Sequence, residues 1–204
     1  MLAKSFGSAV YGVNAYTITI EVNVGQGTRF HMVGLPDSAV KESEQRVESA
    51  LKYHEYRMPR QKTVVNLAPA DIKKEGSAYD LPIALGILQA SEQASFPDLE
   101  KYIIMGELSL DGILRPIKGA LPIAIEARKQ GFKGFILPKE NAIEAAIVDN
   151  LEIYGVETIK QAIEHLDGTN PLEKIIYDTR DNFFYDIDNF EADFADVQGQ
   201  ENIK

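Results

Sequence analysis

Polar and apolar residues first alternate cleanly at 16–24, YTITIEVNV, where Ile18, Ile20, Val22 and Val24 share one side. That period of two is the mark of a half-buried strand. Gly25–Gly27 reads as a turn, and Arg29–Val33 as a strand returning on the first in a hairpin. Gly34 and Pro36 break that strand, and Asp37 stands where a helix N-cap belongs. The period then becomes helical to about His54, with Val40, Val47, Ala50, Leu51 and His54 on one face. Lys62–Leu67 is the next apolar strand. It runs into a polar loop, APADIKKEGSAY, and then a helix from about Asp80 to Ser91. A basic, glycine-containing loop between two buried elements is a common place for chemistry or ligand contact.

Further on, residues 102–117 predict a strand, a short connection and a hairpin turning at Asp111-Gly112. Lys118–Gln130 predicts a helix with Gly131 at its C-terminal end. A strand at Gly134–Leu137, a helix at Glu140–Ala146, a strand at Leu151–Tyr154 and a helix at Thr158–Leu166 complete the pattern, with Thr158 as a cap. Hairpins mixed with crossovers predict an α/β (α+β) sandwich with a mixed sheet over residues 1–166.

Composition changes this picture only at the end of the chain. The 45% hydrophobic content of the 204 residues sustains a sizeable core. The net charge is -10, but residues 167–204 carry ten acidic and three basic side chains, which leaves 21 against 18 for residues 1–166. A nearly balanced domain gives no global support for nucleic-acid binding. Residues 167–192 read as an acidic, aromatic linker, and DFADVQGQENIK at 193–204 as the opening of a further element. Tyr177, Phe183, Phe184, Tyr185, Phe190 and Phe194 are too many aromatics for a purely solvated linker. There is no cysteine and no apolar run near the ~18 residues of a membrane span, so a cytoplasmic location without membrane contact is expected.

The candidate chemistry is sparse. No G-x-x-x-x-G-K-[ST] phosphate loop occurs, so nucleotide hydrolysis is not expected from these residues. His31, His54 and His165 are single and scattered, and no metal site is expected. Lys73, Lys74 and Asp80 are the polar residues of most interest. The lysines are either solvated or contact a partner, and Asp80 either caps the helix at 81 or belongs to a site. Arg57, Arg60 and Lys62 form a short basic cluster, either solvated or touching a phosphate backbone.

Five stretches taken in order carry a resemblance. They are MLAKSFGSAVYG at the start, VGLPDSAVKES at 33–43, VNLAPADIKKEGSAYDLPIALGIL at 65–88, GELSLDGILRPIKGALPIA at 106–124 and DFADVQGQ at 193–200. The chain resembles the N-terminal part of the YifB/ComM proteins, the magnesium-chelatase-like ATPases. That resemblance implies an AAA+ ATPase domain beginning near 193, with ATP and Mg2+ as its cofactors and none bound by the residues before it. It also implies a ring-forming homo-oligomer, a hexamer, acting on branched or single-stranded DNA in recombination during natural transformation.

A more distant resemblance reaches the Lon proteolytic domain and the RadA C-terminal domain, and implies their sandwich fold, shared with a ribosomal-protein domain. In Lon a serine in KDGPSAG and a lysine in GGLKEK form a catalytic dyad. Laid on those motifs, this chain has Ala78 at the nucleophile and Leu121 at the base. A dyad needs an oxygen nucleophile and an amine to take its proton, and neither residue supplies one. Ser77 and Lys118 are nearby in sequence but offset.

The expectation is therefore a non-catalytic accessory domain of a DNA motor, with Lys73, Lys74, Asp80, Arg57 and Arg60 as candidate DNA or partner contacts. The alternative is a protein-interaction or ring-assembly module without DNA contact. A metal-chelatase subunit and a residual peptidase rank below both.

Overall fold

The computed structural model describes residues 1–177. Strand β1 (Leu2–Tyr11) turns at Gly12–Val13 into β2 (Asn14–Gly25), with Tyr11 opposite Asn14 and Leu2 opposite Asn23. β1 has no place among the sequence-predicted strands, because Ala, Ser and Gly dominate it. The close approach of a helix explains that composition. A Cβ on Gly86, in the helix over 80–90, would lie 3.7 Å from Ser5 Oγ, and one on Gly7 would lie 3.1 Å from Met105 Sδ beyond the neighbouring strand.

After β3 (Phe30–Val33) come α1 (Ser38–Lys41), α2 (Ser43–Tyr53), β4 (Lys62–Ala68) and α3 (Asp80–Ala90). The remaining elements are β5 (Tyr102–Ile104), β6 (Glu107–Leu108), β7 (Leu114–Arg115), α4 (Ala120–Lys129), β8 (Gly134–Pro138), α5 (Lys139–Ala146), β9 (Glu152–Val156) and α6 (Ile159–Leu166). Seven strands form one mixed sheet in the order β3-β4-β2-β1-β5-β8-β9, and β6 and β7 form a separate hairpin. This is the expected α/β sandwich.

The pairing of β3 corrects the sequence reading. It does not return on β2; it runs parallel to β4, with Phe30 beside Thr63 and Val33 beside Asn66. β4 lies between β2 and β3, antiparallel to β2 and parallel to β3. Local alternation identified the strand, but a partner some thirty residues downstream displaced the nearer one. The helix expected from Asp37 to His54 is divided at Glu42 into α1 and α2.

β1 is covered on both faces, as successive side chains of a strand require. Ser5 Oγ donates to the Pro82 carbonyl of α3 at 3.0 Å. Its neighbour Phe6 meets Phe132, just beyond α4, with ring centroids 5.2 Å apart. α3 is buried at every position except Gln89, which suits a helix apolar on all sides. Beyond α6, the Ile175 N–H bonds to the Ile153 carbonyl at 2.8 Å, beside β9. The expected aromatic contacts of Phe183–Phe194 and the element expected at 193–204 lie outside the described residues.

Candidate functional site: a cleft at the end of a short strand

Two sequence signals build the wall of the site. At GLPD the backbone turns with Gly34 at φ 99°, and Asp37 then caps α1, its carboxylate accepting from Val40 N–H at 2.8 Å. The other Asp37 oxygen accepts from Gly76 N–H at 3.1 Å. Backbone bonds from Asp37 N to Lys74 O and from Lys74 N to Leu35 O complete the join. The loop at 69–79 is thus fastened along the end of β3.

Lys74 is fully buried. Its ammonium donates to the Gly34 carbonyl at 2.9 Å and to the Pro69 carbonyl. Burial pushes its pKa down, with Asp71 opposing. The expectation of a solvated or partner-touching Lys74 is overturned, because its charge is spent on closing its own loop. Lys73 is exposed and pairs with Glu75 at 2.6 Å.

Asp80 is also corrected. It does not cap α3: Tyr79 occupies the cap position, with no side-chain cap bond. The Asp80 carboxylate is buried and receives Arg46 Nε at 2.6 Å, Arg46 Nη2 at 3.0 Å, the Ser43 hydroxyl and Leu108 N–H at 3.1 Å. Burial pushes its pKa up, while Arg46 and Ser43 pull against that. One carboxylate therefore joins α2, α3 and β6, and it cannot reach a partner.

β5 lasts only three residues, and its neighbour β1 continues past it. Met1 and Val24 exchange both backbone bonds, at 2.7 and 3.0 Å, so odd-numbered residues of β1 bond to β2 and even-numbered ones face away. Phe6 still finds Ile103 of β5, and Ser8 N–H donates to Met105 Sδ at 3.2 Å. Among the described residues no strand lies beside the backbone of Val10 on that edge. Where β5 would have continued there is a cleft of about 360 Å³, lined by Ser8–Tyr11, Lys73, the 75–79 loop, Met105, Glu107 and Pro116–Lys118. The Tyr11 hydroxyl donates to the Lys73 carbonyl and ties the end of β1 to the loop.

Ala78 is in this wall, so the position matched to the Lon nucleophile presents a methyl group. Leu121 sits in the first turn of α4, partly buried against the core, with its N–H bonded to Glu144 at 2.9 Å. The cleft instead receives Lys118, which joins Ser77 there. Sequence reasoning set both aside, and the fold brings them to one cavity. Ser77 does not aim at an amine, however; its hydroxyl donates to the Glu107 carboxylate, which also faces Arg115 at 4.0 Å. Glu107, Tyr11 and Arg46 were missed in the sequence. GELSLDG announces a hairpin, and nothing in it signals that its glutamate faces the 69–79 loop.

Arg57 and Arg60 are exposed and do not join this cleft. They precede β4, at the end of the strand opposite the 69–79 loop. The histidines are also separate: His165 Nδ1 accepts from Leu172 N–H at 3.1 Å, and His54 is packed beneath Gly112. Among the described residues no group of three or more His, Asp or Glu is placed to hold a metal, and no helix is long and apolar enough to cross a membrane.

A family model described as subunit ChlI of Mg-chelatase matches residues 20–141. The chain belongs to this family. It is 37% identical to competence protein ComM of Haemophilus influenzae over 207 aligned residues, covering all of this chain and 40% of that protein. It is 40% identical to YifB of Salmonella typhimurium over 197 residues, 96% of this chain and 38% of YifB. The chain therefore spans about two fifths of the length of these curated relatives. Shorter matches, each covering 52% of the chain, reach DNA repair protein RadA of Aquifex aeolicus at 36% identity and Lon protease 2 of Bacillus subtilis at 30%. They cover 22% and 19% of those proteins, in keeping with the Lon-like sandwich.

Proposed function

We propose that this chain is an accessory region of a ring-forming AAA+ ATPase that works on branched DNA in recombination, and that it performs no hydrolysis itself. The observation that carries the non-catalytic part is the cleft wall. A methyl group stands at the nucleophile position, and the neighbouring hydroxyl is committed to a carboxylate held near an arginine. The hydroxyl proton thus points at a carboxylate and not at the amine a dyad requires. Purified protein should hydrolyse casein no faster than background, and Ser77→Ala should leave that background unchanged. Activity that disappears in the variant would sink this reading.

The DNA part is supported by the match to a competence protein along the whole chain. In it, the ATPase domain, loaded with ATP and Mg2+, supplies the work in a cytoplasmic hexamer, and this domain positions the ring or meets the branch. Full-length protein should retard a four-way DNA junction in a gel. No retardation, with or without ATP, would remove the DNA role.

The open edge of β1 favours a second reading, a protein-interaction or ring-assembly module. A strand edge with free backbone groups can accept an extended segment of another chain. Oligomers that assemble fully yet ignore DNA would select it.

A further inference from the structure

A cluster of positive charge lies at the outer edge of the sheet, away from the cleft. Among the described residues β3 is the last strand on that side, with β4 its only neighbour. The stretch 22–36, which contains β3, has no aspartate or glutamate. Neither has 56–70, which contains β4. In a chain of net charge -10, these two stretches together carry Arg29, Arg57, Arg60 and Lys62 and no carboxylate.

The fold brings the two stretches side by side. Thr63 N–H donates to the Arg29 carbonyl at 3.0 Å, and Phe30 lies beside Thr63. Lys62 lies opposite Gly25, and a Cβ on Gly27 would fall 2.9 Å from Lys62 Cβ. Gln93, just beyond α3, fixes the backbone of Arg57 on both sides: Arg57 N–H donates to its Oε1 at 2.9 Å, and its Nε2 donates to the Arg57 carbonyl at 2.8 Å. All four cations are exposed, and none is in a salt bridge among the described residues. By contrast Lys73, Lys101, Lys133 and Lys139 each have a carboxylate within 4.0 Å.

We infer that this edge, where β3 and β4 begin, is a contact surface for the phosphate backbone of DNA. The inference rests on the DNA reading above and assigns it a place. Four uncompensated cations on two adjoining segments suit a row of phosphates. Each phosphate neutralised releases counterions, which makes binding steeply salt-dependent. The chemistry is charge alone, so the contact is indifferent to base sequence.

The test uses full-length protein and a fluorescent four-way junction, with affinity measured between 50 and 200 mM salt. Replacing Arg29, Arg57, Arg60 and Lys62 together by alanine should flatten the slope of log affinity against log salt by about 3 to 4. Over that salt range the wild type should then lose about 100-fold more affinity than the variant. Arg29→Lys, Arg57→Lys and Arg60→Lys combined should keep the wild-type slope, since charge and not guanidinium geometry is used. Should the fourfold variant fold poorly, Arg60→Ala with Lys62→Ala should flatten the slope by about 2. A junction bound by the wild type and by the alanine variants with one unchanged slope overturns this surface while leaving the DNA reading intact. A wild type that binds no junction overturns both. Binding to polyglutamate, and not to the junction, that is lost in the variant would assign the edge to an acidic protein instead.

Discussion

Replacing Arg46 with methionine should cost the domain about 3–5 kcal/mol of stability, the usual penalty for removing one partner of a buried ion pair. The loss comes from what is left behind. Asp80 has no exposed surface, and Arg46 supplies two of its hydrogen bonds. Ser43 and Leu108 remain, but neither carries charge. A carboxylate in that setting is held more easily as the neutral acid, so its folded pKa rises further above the unfolded value. The folded variant then binds a proton that the unfolded chain does not, and its stability falls as pH rises through that interval. The deficit of Arg46→Met should therefore shrink as pH is lowered. Denaturant unfolding of wild type and variant at several pH values measures both effects. Adding Asp80→Asn should recover part of the loss at neutral pH, because no buried charge remains. A single variant within about 1 kcal/mol of wild type would show that the ion pair does not hold α2 to α3.

Gly34→Ala should be the second large effect, at about 3 kcal/mol or more. Gly34 has φ 99°, a region that L side chains rarely adopt, and an added Cβ would lie 2.0 Å from the Leu67 carbonyl oxygen. That oxygen belongs to β4, so relief requires the end of β3 to move away from its one neighbour. The same movement would pull the Gly34 carbonyl from the Lys74 ammonium. Thermal unfolding gives the magnitude. Faster amide exchange across Phe30–Val33 than across β2 would locate the damage.

Much of this fold was legible in the chain because the informative segments are periodic. The buried side of β2, the buried face of α2 and the strand-loop-helix around β4 and α3 follow from apolar spacing. Asp37 and Thr158 cap their helices as their sequence contexts suggest. The failures have a different physical origin. Arg29–Val33 looks like a hairpin arm because sequence shows the turn before it and not the competing strand downstream. Lys73 and Lys74 are the same residue type side by side, and only the backbone path around Gly34 and Asp37 sends one outward and the other inward. Asp80 opens a helix, where an acidic residue is favourable on local grounds alone. The arginine that claims it is 34 residues earlier. Short-range rules cannot see that pairing.

The order of strands also carries a consequence for how the protein is made. Of the strands of this sheet a growing chain acquires β1 and β2 before the others, and these two can zip together directly through their two-residue turn. β3 follows but waits for β4 to leave the ribosome, because among the described residues its seat in the sheet is beside that strand. The segment that delivers β4 is the same one that carries Arg57, Arg60 and Lys62. Translation thus delivers three of the four cations together with the strand that completes the edge, and a nascent chain stopped at residue 56 would expose β3 as an unpaired strand without its basic margin.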